Sequence, residues 1–205
     1  RAVSEGKELA DLGLRFDLTV PLTRYFASNR GSLPRVLKAI QVGPVWRAER
    51  PQKGRYRQFL QCDIDILGEP SDLAELELIS ASLAALDAIG LSMATIRVND
   101  RRLLKTQLDA AGISADQDRA MIAIDKLDKI GMAKVVEEIA ESWGTESAQK
   151  VSAWLSAEVS DWPEELAWVV KLGDDAARLR YDPSLVRGMG YYTGAIFEIE
   201  YPGAE

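Results

Sequence analysis

The chain has 205 residues, 47% hydrophobic and 28% charged, and its 25 Lys and Arg against 32 Asp and Glu give a net charge of −7. An acidic balance of this kind excludes broad electrostatic capture of nucleic acid, so any such contact has to be local. Histidine is absent altogether, which removes His-based triads and His metal sites, and the single Cys62 excludes an internal disulfide framework and a zinc centre. No apolar run approaches the roughly 20 residues that cross a bilayer. The opening RAVSEGKELADLG lacks the layout of a secretory signal. One thiol suits a reducing compartment, so a cytoplasmic, non-membrane protein is expected.

Residues 14–30, LRFDLTVPLTRYFASNR, begin like a strand ending at Thr19 or Val20 and turn into a helix at Pro21, where a missing N–H costs nothing. Residues 38–49 and 56–68 read as two antiparallel strands. Their connection, RAERPQKGRYRQF (47–59), gathers Arg47, Arg50, Lys53, Arg55 and Arg57 around Pro51 and Gly54, with Trp46, Tyr56 and Phe59 interleaved. A hairpin tip with fixed guanidinium groups is a device for holding phosphate, because each presents a planar fork of donors. An exposed charged turn is the plainer alternative. In the second strand Cys62 is expected to be a small buried packing residue. Gln61 and Asp65 share one strand face, and Asp63 and Asp65 sit among apolar neighbours, which is costly without partners.

DLAELELISASLAALDAIG follows as a helix, with Asp72 and Glu75 placed for a capping box, Leu76, Ile79, Leu83 and Leu86 on one face, and Gly90 as its stop. It is expected to pack on the sheet. MATIRVND (93–100) reads as a strand. From 101 to 180 helical periodicities repeat between Gly112, Gly131, Gly144 and Pro163, predicting a helical lobe inserted into a β-rich core, with Trp154, Trp162 and Trp168 as packing residues. LVRGMGYYTGAIFEIEYPG returns to strand texture, Ile196, Glu198 and Glu200 alternating with Phe197, Ile199 and Tyr201. It is expected to rejoin the first sheet, because its apolar face needs cover. The domain reading is thus 1–100 for the core, 101–180 for the lobe and 181–205 for the return to the core. The fold class is α+β.

LRFDLT (14–19), RAERPQKGRYRQFLQCDID (47–65) and LVRGMGYYTGAIFE (185–198) together resemble class II histidyl-tRNA synthetases. The middle stretch is similar to that class's motif 2, the last to a segment peculiar to the histidine enzymes. The resemblance implies an antiparallel β-sheet flanked by helices with an inserted helical lobe. It also implies ATP-dependent activation of histidine to histidyl-adenylate and transfer to the histidine tRNA. By the same resemblance Arg47 bridges the amino-acid carboxylate and the α-phosphate, Glu49 fixes the adenine end, Arg55 reaches the outer phosphates, and Phe59 stacks on adenine. Arg187 matches an extra cation on the α-phosphate, so Arg47 and Arg187 are the implied catalytic pair. Asp17 and Thr19 match groups that hold the substrate's α-amino group, Gln61 the residue at its carboxylate and amine, and Asp65 the acid that reads the imidazole. Tyr192, with Tyr191, would close the ring pocket. Taken alone, Asp17 and Thr19 read as a strand end with a helix cap, RGMG as a flexible turn, and one of Tyr191 and Tyr192 as a core aromatic.

The implied partners are histidine, ATP with magnesium and the histidine tRNA, in a homodimer at full length, with no dedicated protein metal site identified. Gly190 stands where much of the family has an acid, which leaves a partner for Arg187 unaccounted for. The chain starts after motif 1 and ends before motif 3, and no anticodon-reading domain follows, so it reads as a piece of a synthetase expected to be weakly active alone. The runner-up is the non-catalytic synthetase-like regulatory subunit of ATP phosphoribosyltransferase. An intact ERPQKGRYRQF loop discriminates against it, since that role needs no ATP clamp. Arg101, Arg102 and Lys105 at the lobe's entrance leave a tRNA contact and a merely structural lobe both open.

Overall fold

The computed structural model describes residues 12–50, 52, 54–157, 161–187 and 192–203. It is an α+β protein whose chain divides into two compact units, residues 1–74 and 75–205.

The first unit is built on a long hairpin. Strands β1 (Leu37–Trp46) and β2 (Gln58–Leu67) pair antiparallel in a register that sets Ala39 opposite Asp65, Gln41 opposite Asp63, Gly43 opposite Gln61 and Val45 opposite Phe59. These eight residues share one face. Leu18 and Leu22, at the start of α1 (Thr19–Ser28), are buried in the same unit as Val45. The other face presents Ile40, Val42 and Leu60 at 74%, 69% and 73% exposure. Cys62 is exposed with them, against the expectation of a buried thiol. Strand parity is the reason: with Gln61 and Asp63 turned inward, the residue between them turns outward.

Residues 14–18 form no strand, and α1 begins at Thr19, two residues before Pro21. The Asp17 carboxylate accepts the Val20 N–H at 3.2 Å, satisfying a donor of the first turn and starting the helix early. Pro21 still falls in that first turn, where it is tolerated. The segment before it is tied to β1 by Trp46 N–H donating to the Arg15 carbonyl (2.9 Å) and Arg15 Nε to the Pro44 carbonyl (2.8 Å). At the far end of the hairpin Gly68 has φ +90°, and a Cβ there would lie 2.2 Å from the Arg35 carbonyl oxygen. No other residue fits.

In the second unit β3 (Thr95–Asp100) is the central strand, parallel to β4 (Leu179–Tyr181) and antiparallel to β5 (Ala195–Glu200). The return strand therefore pairs with β3 rather than with the hairpin. Its cover is local: Ile96, Val98 and Leu179, with the half-buried Phe197, pack in one cluster with Ile79 and Leu83 of α2 (Leu73–Ala88), Leu166 and Trp168. The helix packs on this three-stranded sheet rather than on one formed by the hairpin strands that precede it, and its end is closed by Leu91 N–H donating to the Leu86 carbonyl at 2.8 Å.

The lobe consists of α3 (Arg101–Ala110), α4 (Gln117–Ile124), α5 (Leu127–Ile130), α6 (Met132–Trp143) and α7 (Thr145–Leu155). Leu104, Leu108, Ile113, Ile124, Val135, Ile139 and Val151 form its core, which Leu185, Val186 and Ile196 of the return segment complete. Each such side chain contributes about 1.5–3 kcal/mol by leaving water, so the return segment is anchored on the lobe as well as on the sheet. The stretch Glu164–Arg178, expected as a helix, winds as 3-10 turns and breaks at Gly173. Trp154, Trp162 and Trp168 pack as expected, Trp168 edge-on to Phe197 at 6.1 Å between ring centres.

At the β3–α3 junction Asn99 and Asp100 are fully buried. Asn99 Nδ2 donates to the carbonyls of Pro183 (3.3 Å) and Leu185 (3.0 Å), and its Oδ1 accepts the Asp100 N–H. The Asp100 carboxylate caps α3 through the Arg102 N–H and also accepts from the Arg102 guanidinium, both at 2.7 Å. This polar strap fixes the path of residues 183–185, which lead to Arg187. Among the described residues no helix is long and apolar enough to cross a membrane.

Candidate active site

The hairpin tip is closed by a small bridge. Gln52 and Arg55 pair across it, with Arg55 N–H donating to the Gln52 carbonyl at 2.9 Å, and Gly54 takes the φ of +76° that this tight turn needs. Below it Arg47 N–H donates to the Arg57 carbonyl (2.9 Å), and Arg57 Nε to the Glu49 carbonyl (3.2 Å), so the tip continues the ladder of the strands. A cleft of about 320 Å³ opens here, lined by Arg47, Glu49, Gly54, Arg55, Tyr56 and Phe59. All four residues expected at ATP, namely Arg47, Glu49, Arg55 and Phe59, thus face one cavity.

The charged groups in that cleft have defined partners. Arg47, half-buried, donates from Nε to the Phe16 carbonyl (3.2 Å) and from Nη2 to Gln61 Oε1 (3.3 Å), and its guanidinium lies 5.1 Å from the centre of the Phe59 ring. Neutral acceptors and an aromatic face orient it without cancelling its charge. Arg55 reaches Glu49 Oε2 at 3.4 Å, an exposed pair of little energetic weight that an incoming anion readily exchanges.

Beyond Gln61 the same strand face turns acidic. Gln61 Nε2 donates to both carboxylate oxygens of Asp63 at 2.8 Å, and Gln41 Nε2 bridges the Leu18 carbonyl and Asp65 Oδ2, both at 3.2 Å. Burial, followed by the negative charges of Asp63 and Asp17, pushes the Asp65 carboxyl above its ordinary range against the opposing hydrogen bond from Gln41. Three carboxylates within electrostatic reach of one another can receive a cationic or N–H-rich ligand. Arg47, Gln61, Asp63 and Asp65 therefore form one continuous polar track from the cleft along β2. Thr19, the first residue of α1, is half-buried in this unit, and Asp17 serves the helix start as well as the acidic group.

Two residues of this arrangement, Gln41 and Arg15, escaped the sequence reading, which named Asp63 and Tyr56 without giving either a place at the site. Gln41 and Asp63 lie opposite each other on the same face, and the alternation of β1 and β2 held the parity that identifies them. Tyr56 lines the cleft. Arg15 lies over Gly43, where a Cβ would come within 2.7 Å of its guanidinium, so a glycine inside a strand was the available signal.

In the second unit Arg187 is held by Asp125 Oδ1 at 3.2 Å and by a second ion pair to Glu198. Glu198 also lies 3.5 Å from the nearly buried Arg97, whose Nε bonds Asp182 at 2.7 Å. Burial alone would raise the Asp182 carboxyl. The hydroxyl and N–H of Ser184 and the charges of Arg97 and Arg180 bring it below its usual range. Tyr192 is 39% exposed, whereas Tyr191 and Gly190 lie outside the described residues.

Residues 4–205 match the family model for histidyl-tRNA synthetase. The histidine–tRNA ligase of Leifsonia xyli subsp. xyli is 52% identical over 223 residues, covering 96% of this chain and 52% of that protein. That of Aeropyrum pernix is 41% identical, over 91% of this chain and 47% of that protein. The crystal structure of histidyl-tRNA synthetase from Nostoc sp. PCC 7120 superposes with a TM-score of 0.75 at 26% identity, over 92% of this chain and 49% of that one. An ATP phosphoribosyltransferase regulatory subunit/histidyl-tRNA synthetase from Bacillus halodurans shares the fold, with a TM-score of 0.74 at 21% identity. The chain spans about half the length of the curated relatives it matches. Hairpin, return segment and sequence relatives lead to one conclusion: the chain belongs to the histidyl-tRNA synthetase family.

Proposed function

We propose that the protein carrying this chain activates histidine with ATP, forming histidyl-adenylate and pyrophosphate, and then transfers the histidyl group to the histidine tRNA. The observation that carries this reading is the cleft at the hairpin tip, where Arg47, Glu49, Arg55 and Phe59 line one cavity and Arg47 is bonded to Gln61 at the head of the acidic track.

In the activation step a carboxylate oxygen of histidine attacks the α-phosphorus, the bond to the bridging oxygen of pyrophosphate breaks, and negative charge grows on the non-bridging oxygens. The protein supplies no nucleophile, so rate comes from alignment and preorganised positive charge. Arg47 is suited to draw the histidine carboxylate and the α-phosphate together, because its guanidinium is already oriented. Phe59 offers a stacking face for adenine and Glu49 an acceptor for its exocyclic amine, while Arg55 holds the outer phosphates. Magnesium bound to ATP would supply further counter-charge to those phosphates. Arg187 is assigned as a second cation for the α-phosphate. Asp17 and Thr19 are assigned to the α-amino group, Gln61 to the carboxylate and amine region, and Asp65 to an imidazole N–H, with Tyr192 and Tyr191 against the ring. An acid that needs an N–H partner rejects apolar isosteres, which would leave it unpaired. Homodimerisation and a cytoplasmic location belong to the same reading.

The intact hairpin tip supports a synthetase over a regulatory subunit, for which a cavity able to clamp ATP has no use. Histidine-dependent exchange of labelled pyrophosphate into ATP tests the proposal on the full-length protein. Exchange with histidine and with no other amino acid is expected. Binding of histidine without any exchange would turn the reading into that of a sensor.

A further inference from the structure

We propose that Asp125, at the C-terminal end of α4, is a positioning residue for Arg187, so that the seating of the helical lobe sets the aim of that guanidinium. The inference rests on the assignment of Arg187 to the α-phosphate in the activation step and adds to it a device contributed by the lobe.

An acid at this place needs a reason. The C-terminal end of a helix carries partial negative charge, and a carboxylate there is disfavoured unless a cation offsets it. The last turn of α4 has no basic residue, and the backbone N–H of Asp125 is already used by the Met121 carbonyl at 2.9 Å. The offsetting charge comes instead from Arg187, 62 residues further along the chain, with Nη1 at 3.2 Å from Asp125 Oδ1. Its other terminal nitrogen, Nη2, pairs with Glu198 of β5. Two carboxylates on two different elements thus grip the two terminal nitrogens, which fixes the plane of the guanidinium as well as its position.

Packing does not do this. The Arg187 side chain is 41% exposed, and a cavity of about 150 Å³ opens beside it between Arg101, Asp118, Met121, Ile122, Asp125 and Val186. With open space on one side, the ion pairs are what hold the side chain in place. They also form a run of alternating charge: Asp128 of α5 lies 3.6 Å from Arg97, Arg97 lies 3.5 Å from Glu198, and Glu198 and Asp125 both hold Arg187. The lobe supplies the carboxylates at both ends of the run, and the sheet and the return segment supply its middle. Of the two acids on Arg187, Asp125 is the cleaner one to alter, because Glu198 also serves Arg97.

Asp125→Asn and Asp125→Glu in the full-length protein test the proposal through histidine-dependent ATP–pyrophosphate exchange, with kcat and KM resolved and melting temperature measured alongside. Asp125→Asn is expected to lower kcat about 10-fold, less than the ~10²-fold that a 1 Å misplacement can cause, with the KM for histidine and the melting temperature unchanged. Asp125→Glu restores most of the rate. In an Arg187→Ala background, itself impaired, Asp125→Asn adds no more than about twofold. A kcat for Asp125→Asn equal to the parent's, a loss that tracks melting, or full additivity with Arg187→Ala overturns the proposal. Full activity of Arg187→Ala removes the assignment on which it rests and the proposal with it.

Discussion

The two arginines assigned to the α-phosphate in the proposed reaction are held in opposite ways. Arg47, in the first unit, leans on neutral groups: a main-chain carbonyl, a glutamine amide oxygen and the face of Phe59. Arg187, in the second, is gripped by two carboxylates. The first keeps its full charge ready for an anion. The second has its charge already balanced by the two acids that hold it. Orientation by dipoles leaves electrostatic strength intact, while orientation by counter-charges trades some of it for coupling to whatever carries those charges, in this case the lobe.

The sharpest way to break the contrast is at Arg47. Arg47→Ala is expected to lower kcat for histidine-dependent pyrophosphate exchange by about 10²–10³-fold, the range for losing one preorganised charge donor. Lysine should recover only part of it, lacking the planar fork that meets both Phe16 and Gln61. In the second unit the corresponding weak point is the scaffold. Asn99→Ala strips partners from the carbonyls of Pro183 and Leu185 and from the Asp100 N–H, and should destabilise the protein by about 2–3 kcal/mol in a denaturant titration. If stability is unchanged, the strap before Arg187 is not what holds it.

Within the first unit Asp65→Asn should weaken histidine binding about 10-fold by calorimetry while leaving ATP affinity alone, as expected for a hydrogen bond to a charged group. The smallest effect is in pH. Burial and two like charges raise the Asp65 carboxyl in the free protein, and a bound imidazole N–H favours its ionised form, so histidine affinity is full above that raised value and falls as pH drops through it. Asp63→Asn removes one of the like charges, so the fall should move to lower pH. Comparing the two proteins cancels the titration of the ligand's own imidazole.

Much of this was legible in the sequence because it is local. The hairpin announces itself by alternation on both sides of a Pro/Gly tip, and the helix from 73 to 88 by its apolar face. The clustered arginines and aromatics sit on one short connection, so their cleft needed no knowledge of tertiary structure. Parity errors came where two plausible phases competed: Cys62 was placed inside on hydrophobicity alone, although the polar residues flanking it, Gln61 and Asp63, were the ones turned inward. The start of α1 depended on a single side-chain acceptor at Asp17, which overrode the proline. Arg187's partners lay beyond reach, because no local pattern links it to an aspartate 62 residues earlier or shows that a helix end would carry that aspartate to it. The return strand was recognised as a strand, but its neighbour was not, since pairing partners are a long-range property.

The outward turn of Cys62 has a practical consequence. A lone sulfhydryl at the surface, one residue along from Gln61 and pointing the other way, is a ready anchor for a maleimide dye. Fluorescence from that position would report occupancy of the hairpin's inner side without the label entering it. A reductant that keeps the sulfur as a thiol belongs in the labelling preparation.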